Sequence, residues 1–271
     1  MQTTRLPADS GVVPSRLPDG VVVVMPALDE AGAVAVSVRQ WLDAGAARVR
    51  VVDNGSRDDT SERARAAGAE VLHEPRRGYG AAAWRGLQGW PDDSPWVLFA
   101  SADGSDRLSP SECVDWRAAA DSGADMILGD RTSNNRSRSR LRPVQRLGNR
   151  LSCAVIRWGW GRRFADMGSL RLVRREAIDA MDLRDRGFGW NVEMQTRAIE
   201  LGLSIVELPV EHRERLSGES KISGNFRGSV HAGFAILVSL AWFLARHLAK
   251  RRNPMPTVPF RRADPLFQHS R

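Results

Sequence analysis

Cysteine is almost absent from this 271-residue chain: Cys113 and Cys153 are the only two, and they lie far apart. They match no metal-ligand spacing, so reduced thiols in a cytosolic setting are expected. The opening MQTTRLPADSGVVPSRLPDG holds no apolar stretch of signal-peptide length, so no leader is expected there. The chain is therefore expected on the cytoplasmic side. A long hydrophobic run is also lacking. The uninterrupted apolar part of the C-terminal stretch, Phe234 to Ala245, falls short of the ~20 residues a spanning helix needs. There is no internal repeat, no Pro/Gly-rich linker and no recognisable nucleic-acid module, which favours one domain and places duplex binding last.

What is present is positive charge. The net charge is +8, with 42% hydrophobic and 27% charged residues, as in a soluble globular protein with an anionic partner. Nucleic acid, an anionic membrane surface and phosphorylated small molecules all satisfy that charge. From Arg131 to Arg150 the chain reads RTSNNRSRSRLRPVQRLGNR and carries no acid. A solvated loop competes there with phosphate binding, and its place just after a strand favours the second.

Residues 1–19 read as a disordered polar tail. Val21 to Pro26 (VVVVMP) is a β-branched strand apolar enough for burial on both faces. A helix over Ala33 to Leu42, a strand over Arg48 to Asp53, a helix over Asp58 to Ala67 and a strand over Ala69 to His73 follow. Ser56 with Asp59 suggests a capping box for the second helix. Trp96 to Ala100 is the next strand, and it runs into SADGSD. Strand and helix alternate at short spacing, which predicts βαβ units in a mostly parallel α/β sheet with its ligand at the strands' carboxyl ends. Further helices are expected at about Ser111 to Ala120 and Val144 to Trp158, with a strand at Ser169 to Val173. Residues 20–229 then form one α/β domain. An amphipathic helix over 230–250, anchored by Trp242 and flanking basic residues, is expected at the membrane interface, with a buried packing helix as the competing reading. A disordered basic tail covers 251–271.

The strand ends carry the chemistry. Asp103 and Asp106 are placed to hold a hard divalent cation shared with phosphate oxygens, with a self-bonded turn as the competing reading. Asp53 is placed to accept bonds from a base or ribose, again against a turn formed with Asn54 and Gly55. Gly78, Gly80 and Ala83 imitate a dinucleotide fingerprint with Asp103 about 20 residues on, which keeps an NAD enzyme as a rival. Against that rival, the glycines do not directly follow the strand and sit in the third βα unit.

VVVVMPALDEAG, VVDNGSRDD, EPRRGYGAAAWRG, ADGSD, GDR, QRLGNRL, ADMGSLRLVRREA, GWNVEMQ and ERLSGESKISG occur in the order seen in family 2 glycosyltransferases. The chain most resembles the branch with dolichyl-phosphate mannose synthase and bacterial polyprenyl-phosphate glycosyltransferases, over about Val21 to Ala245. That resemblance implies a GT-A fold, a nucleotide-diphosphate sugar as donor, inversion at the anomeric carbon, and Mg²⁺ or Mn²⁺. It implies Pro26, Ala27, Glu30 and Asp53 at the nucleoside, Gly78 and Gly80 at the donor pocket, and Asp103 in the metal motif. Arg131, Arg146 and Arg150 match acceptor-phosphate positions. Arg213, Arg215 and Lys221 match a basic flap over the diphosphate. Asp166 and Glu193 match carboxylates of the acceptor side and are the candidate catalytic bases. The implied acceptor is a polyprenyl phosphate at the inner face of the cell membrane, with no nucleic acid involved. A lipid or soluble hydroxyl acceptor, or a nucleotide-sugar-binding protein without turnover, remains the alternative. The sequence departs from the family at Ser101, where the metal motif usually has its first aspartate. A neutral hydroxyl is a weaker ligand than a carboxylate.

Overall fold

A computed structural model of the chain describes residues 15–141, 143–217 and 226–252. Strands β1 (Val21–Ala27), β2 (Arg48–Asp53), β3 (Glu70–His73), β4 (Trp96–Phe99), β5 (Met126–Asp130), β6 (Arg171–Arg174) and β7 (Ile205–Pro209) form one sheet. Its order is β3-β2-β1-β4-β6-β5-β7. All pairings are parallel except those of β6, which runs antiparallel to both β4 and β5.

The helices are α1 (Val34–Asp43), α2 (Thr60–Ala66), α3 (Tyr79–Gly86), α4 (Pro110–Asp121), α5 (Asn135–Arg140), α6 (Pro143–Trp160), α7 (Arg175–Met181), α8 (Trp190–Glu200) and α9 (Phe226–Arg252). They cover both faces of the sheet, and the alternation along β1 sorts its side chains between two cores. Val21, Val23 and Met25 pack with Trp41 of α1 and Trp116 of α4, whereas Val24 packs with Ala82 and Ala83 of α3 and Trp190 of α8. Burying each such valine contributes on the order of 1.5–3 kcal/mol. The sheet is the mostly parallel α/β layer expected from the sequence.

Three local expectations differ. The segment before Asp19 is not all tail: Leu17 is buried, its N–H donates to Ala44 O at 2.9 Å, and its carbonyl accepts from Arg117. The capping box at Ser56 does not form, because Ser56 Oγ accepts from the N–H of Asp29 at 3.0 Å instead. Together with the Glu30 N–H donating to Thr60 Oγ1 at 2.8 Å, this ties the loops after β1 and β2 to each other. The capping box sits instead at Ser109 and Glu112, with Pro110 in the first turn of α4. Finally, α9 packs on one face and is open on another: Leu240 and Phe243 are buried and Trp160 stacks on His247 at 4.7 Å, while Trp242 is exposed. Among the described residues no helix is long and apolar enough to cross a membrane. Residues 1–14 and 253–271, over which most of the expected tails fall, lie outside the described residues.

Candidate functional site

The loops leaving β1, β2, β4 and β5 open onto one crevice of about 780 Å³. The reversed strand β6 brings the loop 166–170 to the same rim, since its amino end lies where its neighbours have carboxyl ends. Of the predicted residues, Pro26, Ala27, Glu30, Gly78, Asp103, Arg131, Arg213 and Arg215 line the crevice.

Asp103 is held by its own turn and by a cation. Its Oδ1 accepts from the Ser105 N–H at 2.9 Å and the Ser105 hydroxyl at 2.6 Å, and its Oδ2 accepts from Arg215 at 2.8 Å. Arg215 also donates to Glu30, so one guanidinium bridges the loops after β1 and β4. The segment 211–217 is fastened over this side by two backbone bonds, Arg213 N–H to Ser105 O at 3.1 Å and Leu216 N–H to Asp103 O at 3.0 Å. Arg213 itself pairs with Glu211 at 2.9 Å. Lys221, expected in the same flap, lies outside the described residues.

Several expected residues have other duties. Asp106 does not line the crevice; its Oδ2 accepts from the Ser101 N–H and the Ser169 hydroxyl, each at 2.8 Å, which closes the 101–106 loop and ties it to the loop before β6. Asp53 likewise faces inward. Its carboxylate accepts from the N–H groups of Gly55 and Ser56 and from the Ser61 hydroxyl, and these bonds outweigh burial and hold its pKa below the usual value. The turn reading prevails there, and Asn54 takes the place in the wall. Asn54 donates to the carbonyls of Glu74 and Arg76 and accepts from the Gly78 N–H at 2.9 Å, so it shapes the 74–78 loop.

Gly78 and Gly80 are glycines for a packing reason. A Cβ on Gly78 would stand 2.5 Å from Arg186 O, and one on Gly80 would stand 2.7 Å from Asp185 O. The N–H groups of Gly80 and Ala81 donate to the carbonyls of Gly187 and Arg186. The fingerprint-like spacing thus admits the 185–187 segment to the start of α3, where a dinucleotide fingerprint would admit a pyrophosphate.

The two expected bases are both engaged. Asp166 is buried, and its carboxylate accepts from Arg131 Nε at 2.6 Å, Arg131 Nη2 at 2.9 Å, the Arg131 N–H at 3.1 Å and the Met167 N–H at 2.8 Å. Burial opposes its ionisation, but Arg131 outweighs burial and keeps the carboxyl below the usual aspartate range. Glu193 does not line the crevice: its Oε2 accepts from the N–H groups of Arg184 and Asp185 at 2.9 and 2.7 Å, and burial raises its pKa. It holds the segment that packs on Gly78 and Gly80. Arg146 and Arg150 lie on α6 outside the crevice wall.

Two residues that sequence reasoning missed do line it. Arg140 donates to His212 O at 2.7 Å, placing a second guanidinium in the wall with Arg131. The Nδ1 of His212 is buried and has no hydrogen-bond partner among the described residues. Burial and Arg131 lower the His212 pKa, while Asp106 and Asp103 oppose them. Val144 of α6 and Ile236 and Leu237 of α9 contribute apolar lining to the same crevice.

A family model described as Glycosyl transferase family 2 matches residues 22–182. An uncharacterized glycosyltransferase of Mycobacterium tuberculosis is 36% identical over 222 residues, covering 79% of this chain and 94% of that protein. The polyprenol monophosphomannose synthase of Mycolicibacterium smegmatis is 30% identical over 192 residues, covering 65% and 71% respectively. The fold is that of a glucosyl-3-phosphoglycerate synthase from M. tuberculosis, solved with Mn²⁺, UDP-glucose and phosphoglyceric acid. The TM-score is 0.64 at 23% identity, over 83% of this chain and 79% of that one.

Proposed function

The chain belongs to glycosyl transferase family 2, and from that membership we propose that it moves a hexose from a nucleotide-diphosphate sugar to a polyprenyl phosphate. One observation carries the acceptor assignment: Arg131 and Arg140 line the same crevice as the apolar wall of Val144, Ile236 and Leu237. Two guanidiniums suit a phosphate, and the wall beside them suits a hydrocarbon chain. The polyprenol monophosphomannose synthase among the relatives supports this reading.

The state of the carboxylates favours it too. A hydroxyl acceptor needs a base to take its proton in the transition state. Asp166 is saturated by Arg131 and Met167, and Glu193 stands outside the crevice. An acceptor phosphate arrives already ionised and needs neither. The crevice then contributes chiefly alignment of acceptor oxygen and anomeric carbon, which removes much of the entropic cost of a two-substrate reaction.

On the donor side, Pro26, Ala27 and Asn54 would border the nucleoside, and Arg215 and Arg213 would face the diphosphate. A divalent cation would be held by the Asp103 carboxylate together with the donor phosphates, with the buried His212 Nδ1, otherwise without a partner, in the same crevice wall; among the described residues no cluster of three or more carboxylate, imidazole or thiol groups could hold an ion alone. Such an ion, Mg²⁺ or Mn²⁺, would neutralise charge on the leaving nucleoside diphosphate. Solved proteins of this fold hold Mn²⁺ with UDP or UDP-glucose. Arg215 now covers Asp103, so its guanidinium would pass to the diphosphate when the ion binds. The enzyme would work at the inner face of the membrane that holds its lipid.

The test is transfer from radiolabelled UDP-, GDP- and dTDP-sugars to a short-chain polyprenyl phosphate, with Mn²⁺, Mg²⁺ or chelator. Label in the prenyl product is expected. Label moving only to alcohols or to a water-soluble phosphorylated acid would replace the acceptor assignment. Tight donor binding with no transfer to any acceptor would make the protein a nucleotide-sugar-binding module.

A further inference from the structure

Helix α6 presents two different faces. Gly148 and Ser152 line the crevice from one side of the helix, and Ile156 continues that side into the core. Val144, Leu147, Leu151, Ala154 and Trp158 follow one another at spacings of three, four, three and four residues, which places them on a single stripe. That stripe is uncovered: Leu147 is 69% exposed and Trp158 74% exposed, and Val144 and Leu151 are exposed as well. A core helix would not leave a tryptophan and leucines bare in a row.

The stripe has a charged border. Arg150 and Arg157 are exposed and Arg146 half-buried, and all three fall next to it on the same side of the helix. From residue 131 to residue 165 the sequence has ten arginines and no acid. Nothing in that stretch repels an anion. Helix α9 packs along α6, with Gly159 against Leu244, and exposes Val238 and Trp242.

We infer that the exposed face of α6 is a docking surface for an anionic lipid bilayer. Leu147, Leu151 and Trp158 enter the acyl boundary, and Arg150 and Arg157 meet the anionic headgroups. An apolar stripe beside a cationic border is the pattern of a helix lying in the membrane interface, and cation without acid complements a negative leaflet. The expected interfacial helix, α9, instead buries Leu240 and Phe243 and acts as the brace behind α6. Docking in this way turns the α6 wall of the crevice towards the lipid. Only this orientation rests on the prenyl-phosphate reading; the docking surface stands on its own features.

The experiment is co-sedimentation of the full chain with vesicles of phosphatidylcholine alone and with about one-third phosphatidylglycerol. Binding to the anionic vesicles is expected, weakened by salt. Leu147→Ser with Trp158→Ser, and separately Arg157→Glu, should each weaken it by about tenfold or more. None of these three residues lines the crevice, so transfer to a short-chain acceptor in vesicle-free buffer should stay at the wild-type rate. Undiminished binding of the double variant, equal binding to neutral vesicles, or no binding by the wild type would each overturn the inference. So would a wild-type dimer in light scattering that the double variant abolishes, because the stripe would then be covered by a second copy. Failure of the vesicle-free transfer in all proteins would count against the acceptor reading alone.

Discussion

Arg131 holds Asp166 with three of its own donors: the two guanidinium nitrogens at 2.6 and 2.9 Å and its backbone N–H at 3.1 Å. The carboxylate side chain is 1% exposed and the arginine 17%. One residue of the crevice wall is thus fixed in place by an acid that sequence reasoning assigned to catalysis.

Asp166→Asn should leave Arg131 buried without its countercharge, at a cost of about 3–5 kcal/mol. The denaturant midpoint at neutral pH measures this. Because the folded Asp166 pKa is depressed, its contribution is present above the ordinary aspartate value and is lost as pH falls through the folded value. In an acid titration the wild type should therefore lose stability more steeply than the variant below about pH 4. Parallel acid limbs would show that the pair carries no such linkage.

Ser101→Asp restores the carboxylate usual at that position of the metal motif. The Ser101 N–H already binds Asp106, and its hydroxyl stands 3.2 Å from that of Ser169, so the new charge would crowd Asp106. The variant should melt lower than the wild type in chelator and recover in Mn²⁺. The comparison to make is the metal-induced rise in melting temperature, which should be larger in the variant; equal rises would place the site elsewhere.

Glu193→Gln separates a structural acid from a catalytic one. Burial raises the Glu193 pKa, so its ionisation weighs against folding as pH rises from the usual glutamate value through the folded one. Relative to the wild type, the variant should gain stability as pH rises above the ordinary glutamate value of about 4.3. Its kcat should stay within about threefold, whereas loss of a general base costs about 10²-fold or more.

Gly80→Ala places a Cβ 2.7 Å from Asp185 O and 2.8 Å from the Arg186 carbonyl carbon, both backbone atoms. Overpacking of this kind costs about 1–3 kcal/mol. As the displaced segment packs on Gly78, which lines the crevice, the KM for the nucleotide sugar should rise with it. A variant with wild-type midpoint and KM would show that the 185–187 segment yields freely.

The sheet was legible where the chain announces it. VVVVMP is an apolar run and RVRVVD a valine-rich one, both closed by turn residues, and their parallel pairing follows from short helical crossovers. The reversal of β6 was not legible, because RLVR reads alike in both directions and only its pairing with Phe99 and Leu128 orients it. The order of the motifs located the crevice, and Asp103, Arg131 and Arg215 fall in it. Their individual partners were hidden. Asp53 and Asn54 are adjacent in a turn, and which of them faces the crevice depends on the Gly55 and Ser56 amides. Arg140 was one arginine among many in a basic run. His212 stands at the end of a strand-like stretch with no neighbour in sequence to mark it. SPSE at the start of α4 was a readable cap signal that went unread, whereas the similar signal at Ser56 lost to a longer-range bond.

The reversed strand also sets when the crevice can form. β1, β2 and β3 pair with near neighbours along the chain, so their loops meet early and at small entropic cost. β4 then joins β1 directly, but β5 must wait for β6, as Leu128 pairs with Arg171, and gains its other neighbour only with β7, as Asp130 pairs with Pro209. Such distant contacts slow folding. On the ribosome, the loops after β1 and β2 can fold first, while the wall bearing Arg131 and its partner Asp166 closes only after the chain has emerged past β6.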